Sequence, residues 1–184
     1  SGTGLTLRNL PPGFRHTLNT SVPGEISLIV TPSTFTNWIN SFPSLTASQK
    51  AASADPDNDG ESNLAEYAFA GNPTDPGSCG QRILQLLDTR DDNSNAQDLT
   101  LTVEIRADAI LTPDGPDLVA SIDGITYRFE GSTDLSSFSS TISEVVPHRG
   151  PASARPGYSF KTIRLNASNG LPGKGFLRAS ASQP

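Results

Sequence analysis

The residues best suited to chemistry lie in one stretch, from Asp55 to Glu66, which reads DPDNDGESNLAE. Asp55, Asp57 and Asp59 alternate with other residues, and Gly60 follows them. This stretch fits the calcium-loop pattern D-x-[DN]-x-[DN]-G-x5-E at every fixed position. Calcium is a hard cation that takes about six to eight oxygen ligands, and a tight loop can wrap carboxylates around it. The sequence therefore predicts a bound Ca²⁺.

The pattern also assigns a role to each position of the loop. Gly60 allows the sharp turn, the carbonyl of Glu61 supplies a backbone ligand, and Asn63 takes the ninth position, often through water. Glu66 closes the loop with two oxygens. The predicted ligands are Asp55, Asp57, Asp59, Glu61, Asn63 and Glu66. The alternative is a solvated acidic turn, since Asp, Asn and Gly are common turn residues.

Helical patterns precede the loop. Apolar residues recur at helical spacing over residues 33–42, namely Phe35, Trp38, Ile39 and Phe42. Thr46 and Gln49 form a capping box, which predicts a short Ala-rich helix to about Ala54 that leads into the loop. Trp38 on the first helix is expected in the core, because a buried aromatic ring contributes a large area.

A further helix is predicted after the loop, from about Asn63 to Ala70, with Gly71 as its left-handed C′ residue. Residues 55–71 therefore resemble an EF-hand or dockerin-type calcium module. Ser62 stands where paired EF-hands carry an apolar residue, and the sequence contains no second D-x-D-x-D-G. The resemblance accordingly implies a solitary structural site, rather than a signalling pair or a cohesin-binding dockerin.

The C-terminal part reads as a series of strands. They are predicted at Ile83–Leu87, Leu99–Ile105, Leu118–Ile122, Ile125–Glu130, Ile142–Val146, Tyr158–Leu165 and Phe176–Ala181. The Leu99–Ile105 strand alternates apolar and polar residues, which predicts a half-buried strand. Asp123-Gly124 predicts a two-residue hairpin, which would pair Ile122 with Ile125 and, further along, Ala120 with Tyr127 and Leu118 with Phe129.

The predicted fold is mainly β with a small helical insert. It comprises an antiparallel β-sandwich and an EF-hand-like helix–loop–helix calcium unit. The expected organisation is an N-terminal β-strand segment at 1–31, the helical calcium unit at 32–73, a linker at 74–80 and the sandwich at 81–184.

Composition and charge narrow the functional classes. The 184 residues are 34% hydrophobic and include 16 Gly and 15 Pro, which favours a loop-rich β protein. The net charge of −6 argues against nucleic-acid binding. Residues 55–117 carry three basic and 14 acidic residues, a net of −11, which a divalent ion would partly offset. Cys79 is the only cysteine, so no intrachain disulfide can form.

The chain begins at Ser1, contains no Met, and has neither a signal peptide nor an apolar run long enough to span a membrane. We therefore expect a piece of a longer exported protein that is secreted or displayed at a cell surface. Extracellular modules bind calcium at ~10⁻⁴ to 10⁻³ M, which fits that compartment.

A wider resemblance rests on the runs FTNWINSFPSL, ADPDNDGESNLAEYAFAGNPTDP, YRFEGSTDLSSF and GKGFLRASAS. Together they resemble the C-terminal region of large exported bacterial proteins that carry autotransporter-associated β-strand repeats. This resemblance implies a surface or secreted protein with a non-catalytic module. It implies no particular ligand.

The sequence predicts a non-enzymatic, calcium-stabilised structural or adhesive module. It contains no G-x-S-x-G, H-E-x-x-H or C-x-x-C motif. Expected partners are other copies of the chain, in a filament, or other surface proteins. One alternative is a carbohydrate-binding module that uses Tyr158 and Trp38. Another is a hydrolase with a site around His148. The acidic loop Asp88–Asn95 is a candidate for a second cation site, but its spacing fits no standard calcium loop, so a solvated turn is the favoured interpretation.

Overall fold

The computed structural model describes residues 14–32, 34–89, 97–152, 154–166 and 174–183. Its elements confirm a mainly β chain with antiparallel sheets. They are β1 Phe14–Asn19, β2 Ser27–Pro32, α1 Thr34–Asn40, α2 Asn63–Phe69, β3 Arg82–Leu87, β4 Asp98–Arg106, β5 Thr112–Asp114, β6 Asp117–Ile122, β7 Ile125–Ser132, β8 Ile142–Val145, β9 Tyr158–Leu165 and β10 Phe176–Ser182. No helix within the described residues is long and apolar enough to cross a membrane.

The strands form three antiparallel sheets. The hairpin β1–β2 is a sheet by itself, and the two four-stranded sheets have the orders β10-β7-β6-β5 and β3-β4-β9-β8. Short β5, which the sequence pattern did not indicate, pairs with β6. One hydrophobic core includes buried residues of both four-stranded sheets together with residues of α1 and α2.

The β6–β7 hairpin has the predicted register. Ile122 lies opposite Ile125, and the next pairs on the same face are Ala120 with Tyr127 and Leu118 with Phe129. The two turn residues, Asp123 and Gly124, both have positive φ angles, 54° and 75°. Two positive φ angles are what a type I′ turn requires, so local turn chemistry set this register.

The prediction that β4 is half-buried is wrong. Its polar residues Thr100, Thr102 and Glu104 are as buried as its apolar ones. β4 lies between β3 and β9, and the loop that follows β8 covers its second face. In that loop the N–H of Arg155 donates to Glu104 Oε1 at 2.7 Å, and a Cβ on Gly150 would meet Thr102 Cγ2 at 2.8 Å.

The predicted helix from Thr46 to about Ala54 is also wrong. The capping box forms, with the N–H of Thr46 donating to Gln49 Oε1 at 3.0 Å, but successive turns follow it rather than a helix. The carbonyls of this segment are engaged elsewhere: Asn63 Nδ2 donates to those of Gln49 and Ala51, both at 2.7 Å. These bonds tie the turns to the start of α2. Because turns replace the predicted helix before the loop, the structure does not show an EF-hand-like helix–loop–helix.

The end of α2 differs from the prediction by one residue. Ala70, rather than Gly71, has the left-handed conformation, with φ 63° and ψ 36°. A Cβ on Gly71 would lie 2.8 Å from Glu66 Cβ, so glycine is needed there for close approach instead. The chain after α2 is therefore packed directly against Glu66.

The residues predicted as a linker form a hydrogen-bonded loop that packs on α2. The N–H of Asn72 donates to Ser78 O at 3.0 Å, and the N–H of Ser78 donates to Asp75 O at 2.9 Å. Gly80 follows with φ +70°, and a Cβ there would lie only 2.0 Å from Phe69 O. Two hydroxyls join α2 to the sheets: Tyr127 Oη donates to Ala68 O at 2.8 Å and Tyr158 Oη to Tyr67 O at 2.7 Å.

Candidate metal centre

The three predicted aspartate ligands lie together. Asp55, Asp57 and Asp59 are all half-buried, and one carboxylate oxygen of each lies within 4.8 Å of the others. Gly60 has φ 93° with open space around its Cα hydrogens, so the backbone turn is what requires glycine at this position. Asn58 also has a positive φ, 62°, which Asn tolerates better than most residues.

Backbone N–H groups hold these aspartates in place. Asp55 accepts from the N–H of Asn58 at 2.8 Å and from that of Gly60 at 3.0 Å. Asp59 Oδ1 accepts from the N–H of Glu61 at 2.7 Å, and Asp57 Oδ1 accepts from the N–H of Asp59 at 3.3 Å. The second oxygens, Asp57 Oδ2 and Asp59 Oδ2, are buried and have no hydrogen-bond donor among the described residues.

Glu66 gives the strongest indication that the site holds a cation. It has no exposed surface, and neither carboxylate oxygen has a hydrogen-bond partner in the described part of the chain. Burial, followed by repulsion from Asp57, Asp59 and two further loop carboxylates, raises its pKa from 4.5 to about 8. An uncompensated buried carboxylate is costly, so buried charges are normally paired or bound to metals. A cation beside the three aspartates would supply that compensation.

The other two predicted ligands are also anchored. Asn63 is fully buried, and its Nδ2 donates hydrogen bonds to the carbonyls of Gln49 and Ala51. Its side-chain oxygen, Oδ1, has no hydrogen-bond donor in the described residues. The side chain of Glu61 forms a bidentate pair with Arg82, at 2.5 and 2.7 Å. This pairing fits the expectation that Glu61 contributes its backbone carbonyl rather than its carboxylate.

Charge and chemistry agree with a hard divalent cation. The candidate ligand atoms are carboxylate and amide oxygens, with no nitrogen or sulfur among them. This set of ligands suits Ca²⁺ or Mg²⁺ rather than a softer metal. A loop with a bidentate Glu at its last position suits the larger, more flexible coordination of calcium. The chemistry of the residues present thus fits Ca²⁺, and Glu66 is the residue that the loop pattern predicts as the closing ligand.

In a chelator, the melting temperature is expected to fall as pH rises from about 5 to about 8. The pKa of Glu66 is higher in the folded state than in the unfolded chain, so the folded protein holds the proton more tightly. Raising the pH removes this advantage until the folded-state pKa is passed. Asp57 shifts in the same direction, through burial first and then repulsion from Asp59. Thermal melts in EGTA at constant ionic strength measure the trend.

The matched control for this trend is Glu66→Gln, which cannot titrate. The lowered pKa values of Glu130 and Asp134 act only as pH falls through their acidic range, so they leave this window unaffected. A wild-type slope equal to that of Glu66→Gln would contradict the burial of an unpaired carboxylate. Saturating calcium should abolish the slope, because a bound metal would keep Glu66 deprotonated in the folded state, as it already is in the unfolded chain over this pH range.

The two aromatic residues predicted for carbohydrate binding have structural partners. Trp38 lies 5.3 Å from Tyr67 and 5.1 Å from Phe42, measured between ring centres. The hydroxyl of Tyr158 donates a hydrogen bond to the carbonyl of Tyr67. The guanidinium of Arg106 lies 5.0 Å from the centre of the Tyr158 ring. The exposed large apolar residues of the described chain include no aromatic. Carbohydrate binding therefore stays a prediction that no observation favours.

The remaining candidates show no catalytic arrangement within the described residues. His148 is exposed, and its Nδ1 accepts from the N–H of Gly150 at 3.3 Å. Most of the Asp88–Asn95 loop falls outside the described residues, so the prediction of a second ion there is untested. Sequence reasoning missed Arg82; its position next to the predicted linker gave no sign that it reaches the metal loop.

Comparison of the chain with protein-family models, with curated proteins and with solved structures gives no match. The case for a metal site therefore rests on the geometry and chemistry of the chain itself. The resemblances to EF-hand or dockerin modules and to exported repeat proteins stay predictions.

Proposed function

We propose that this chain is a non-enzymatic, calcium-stabilised structural module that acts outside the cell. The observation that supports it best is Glu66, a fully buried carboxylate without a hydrogen-bond donor in the described residues, which feels repulsion from the three clustered aspartates. A bound Ca²⁺ would neutralise much of this acidic cluster. Extracellular modules bind calcium at ~10⁻⁴ to 10⁻³ M, and millimolar extracellular calcium would keep such a site occupied, which supports the secreted or surface location.

Calcium in this proposal joins two parts of one fold. The two four-stranded sheets share a core, which supports a β-sandwich arrangement. The loop and α2 form half of an EF-hand-like unit, and that half is packed on the sandwich through the Tyr127 and Tyr158 hydroxyls. An ion that rigidifies the loop would fix the position of α2, and through α2 the junction with the sheets.

Self-assembly is the second element of the proposal. The β1–β2 hairpin exposes apolar side chains, among them Ile26 at 59% and Leu28 at 46%. The edge strand β3 exposes Leu84 at 59% and Leu86 at 50%. An exposed strand edge with apolar side chains is a natural site for strand addition from another chain. A filament or surface array of such modules follows from pairing of these surfaces.

Light scattering coupled to size exclusion, in calcium and in EGTA, tests the assembly. Calcium should produce species larger than the monomer at high protein concentration, because only the calcium-bound module presents a fixed surface. The variant Ile26→Lys/Leu28→Lys should stay monomeric. Ile110→Lys is the control, since Ile110 is 77% exposed but lies outside the hairpin. A strictly monomeric wild type in both conditions would rule out self-assembly and leave the calcium site to be judged separately.

A further inference from the structure

Arg82, the first residue of β3, contacts three parts of the molecule. Its guanidinium donates to both carboxylate oxygens of Glu61 in the metal loop, at 2.5 and 2.7 Å. The same group lies 4.9 Å from the centre of the Phe69 ring at the end of α2. Nη1 also reaches the carbonyl of Cys79, at 3.4 Å. Arg82 therefore links the sheet to both the metal loop and its helix.

Glu61 is held at two points, through its backbone N–H and through its side chain, and both are joined to the Cα that carries the predicted ligand carbonyl. Its N–H donates to Asp59 Oδ1 at 2.7 Å, and its side chain is bound by Arg82. The carbonyl of Glu61 is the backbone oxygen expected on the ion. A bidentate guanidinium–carboxylate pair fixes orientation as well as distance, which a single charge contact does not. A residue of β3 thus holds the side chain of the residue that carries this carbonyl.

The contribution of the Arg82–Glu61 ion pair to the stability of the fold is too small to explain the pair by itself. Arg82 and Glu61 side chains are 32% and 20% exposed, and ion pairs that reach solvent contribute about 0–1 kcal/mol. Simple electrostatics gives the opposite expectation for calcium: a positive guanidinium near the site repels the ion, so its removal should tighten binding. A positioning role predicts weaker binding instead, and the sign of the change separates the two.

We propose that Arg82 is a positioning residue for the calcium site, which acts through Glu61 and makes calcium affinity depend on the sheet. This inference rests on the proposed calcium function. It also explains how a bound ion could influence β3, the edge strand with exposed Leu84 and Leu86. The loop and the edge strand would be joined by one side chain.

Isothermal titration with CaCl₂ provides the test. Arg82→Ala should weaken calcium binding by about 10-fold, as removal of a group that orients a metal ligand commonly does. Arg82→Lys should give an intermediate loss, because Lys keeps the charge but cannot form the bidentate pair. Arg178→Ala is the matched control: Arg178 forms the same kind of pair, with Glu130 at 2.7 and 2.8 Å, on the other sheet. Its calcium affinity should equal that of wild type.

A double-mutant cycle shows whether Arg82 acts through Glu61. In a Glu61→Ala background, Arg82→Ala should cause no further loss of affinity. The inference would be overturned if the two substitutions caused additive losses of calcium affinity, or if Arg82→Ala bound calcium as tightly as wild type or more tightly. Either result would leave the calcium site itself in place. Wild-type protein that binds no calcium would remove the proposed function itself. If Arg82→Ala fails to fold, Arg82→Lys and Arg82→Gln decide by the same criteria.

Discussion

Replacement of Glu66 by Gln is expected to weaken calcium binding by at least ~100-fold and, in a chelator at pH 8, to raise the melting temperature. The proposed calcium site would lose a bidentate carboxylate, a larger change in affinity than the 10–100-fold typical of groups that only support a ligand. Without calcium, the same substitution removes a buried carboxylate whose pKa of about 8 reflects its unfavourable charged form. Calorimetric titration and melts in EGTA measure the two effects.

These opposite signs distinguish a metal ligand from a structural carboxylate. A residue that merely held the fold together would lose stability in EGTA as well as in calcium. Glu25→Gln is the control, because it removes the same charge from an exposed position in the β1–β2 turn. Calcium affinity of Glu66→Gln close to that of Glu25→Gln would show that Glu66 does not bind the ion.

Gly80→Ala is expected to lower the free energy of unfolding by about 3 kcal/mol, the range of severe backbone and overpacking effects. A Cβ at position 80 would lie 2.0 Å from Phe69 O, and that atom belongs to the backbone, so it cannot move aside cheaply. The φ of +70° adds the strain that a non-glycine residue has in the left-handed region. Urea unfolding monitored by circular dichroism gives the value.

Gly115→Ala separates the energetic cost of backbone strain from the cost of a steric clash. Gly115 has a similar φ of +63°, but no atom lies within 4 Å of the Cβ position. Its substitution should cost only about 1 kcal/mol, from backbone strain alone. Equal losses for Gly80→Ala and Gly115→Ala would mean that the loop after α2 is not packed tightly against the helix end.

Features that depend on neighbouring residues could be predicted from the sequence. The aspartates of the metal loop come together because carboxylates at alternate positions accept from backbone N–H groups two to five residues ahead. The β6–β7 register was readable because Asp123-Gly124 fixes a two-residue turn. In both cases the determining residues lie within about ten positions of one another.

Features that depend on residues far apart in the sequence could not be predicted from it. Thr102 looks like a solvent-facing residue in an alternating strand, yet it is covered by a loop almost fifty residues away, at Gly150. The Ala-rich segment before the metal loop has helical composition, but Asn63 binds two of its carbonyls. Arg82 gives no local sign that its partner, Glu61, lies 21 residues before it.

The most direct test is a calcium titration of the wild-type chain, followed by melting curves in calcium and in EGTA. One ion per chain should bind with a dissociation constant of ~10⁻⁴ to 10⁻³ M. At ten times that concentration, calcium should stabilise the fold by about 1.4 kcal/mol. The absence of binding heat at millimolar calcium, together with identical melting curves in calcium and EGTA, would contradict the account.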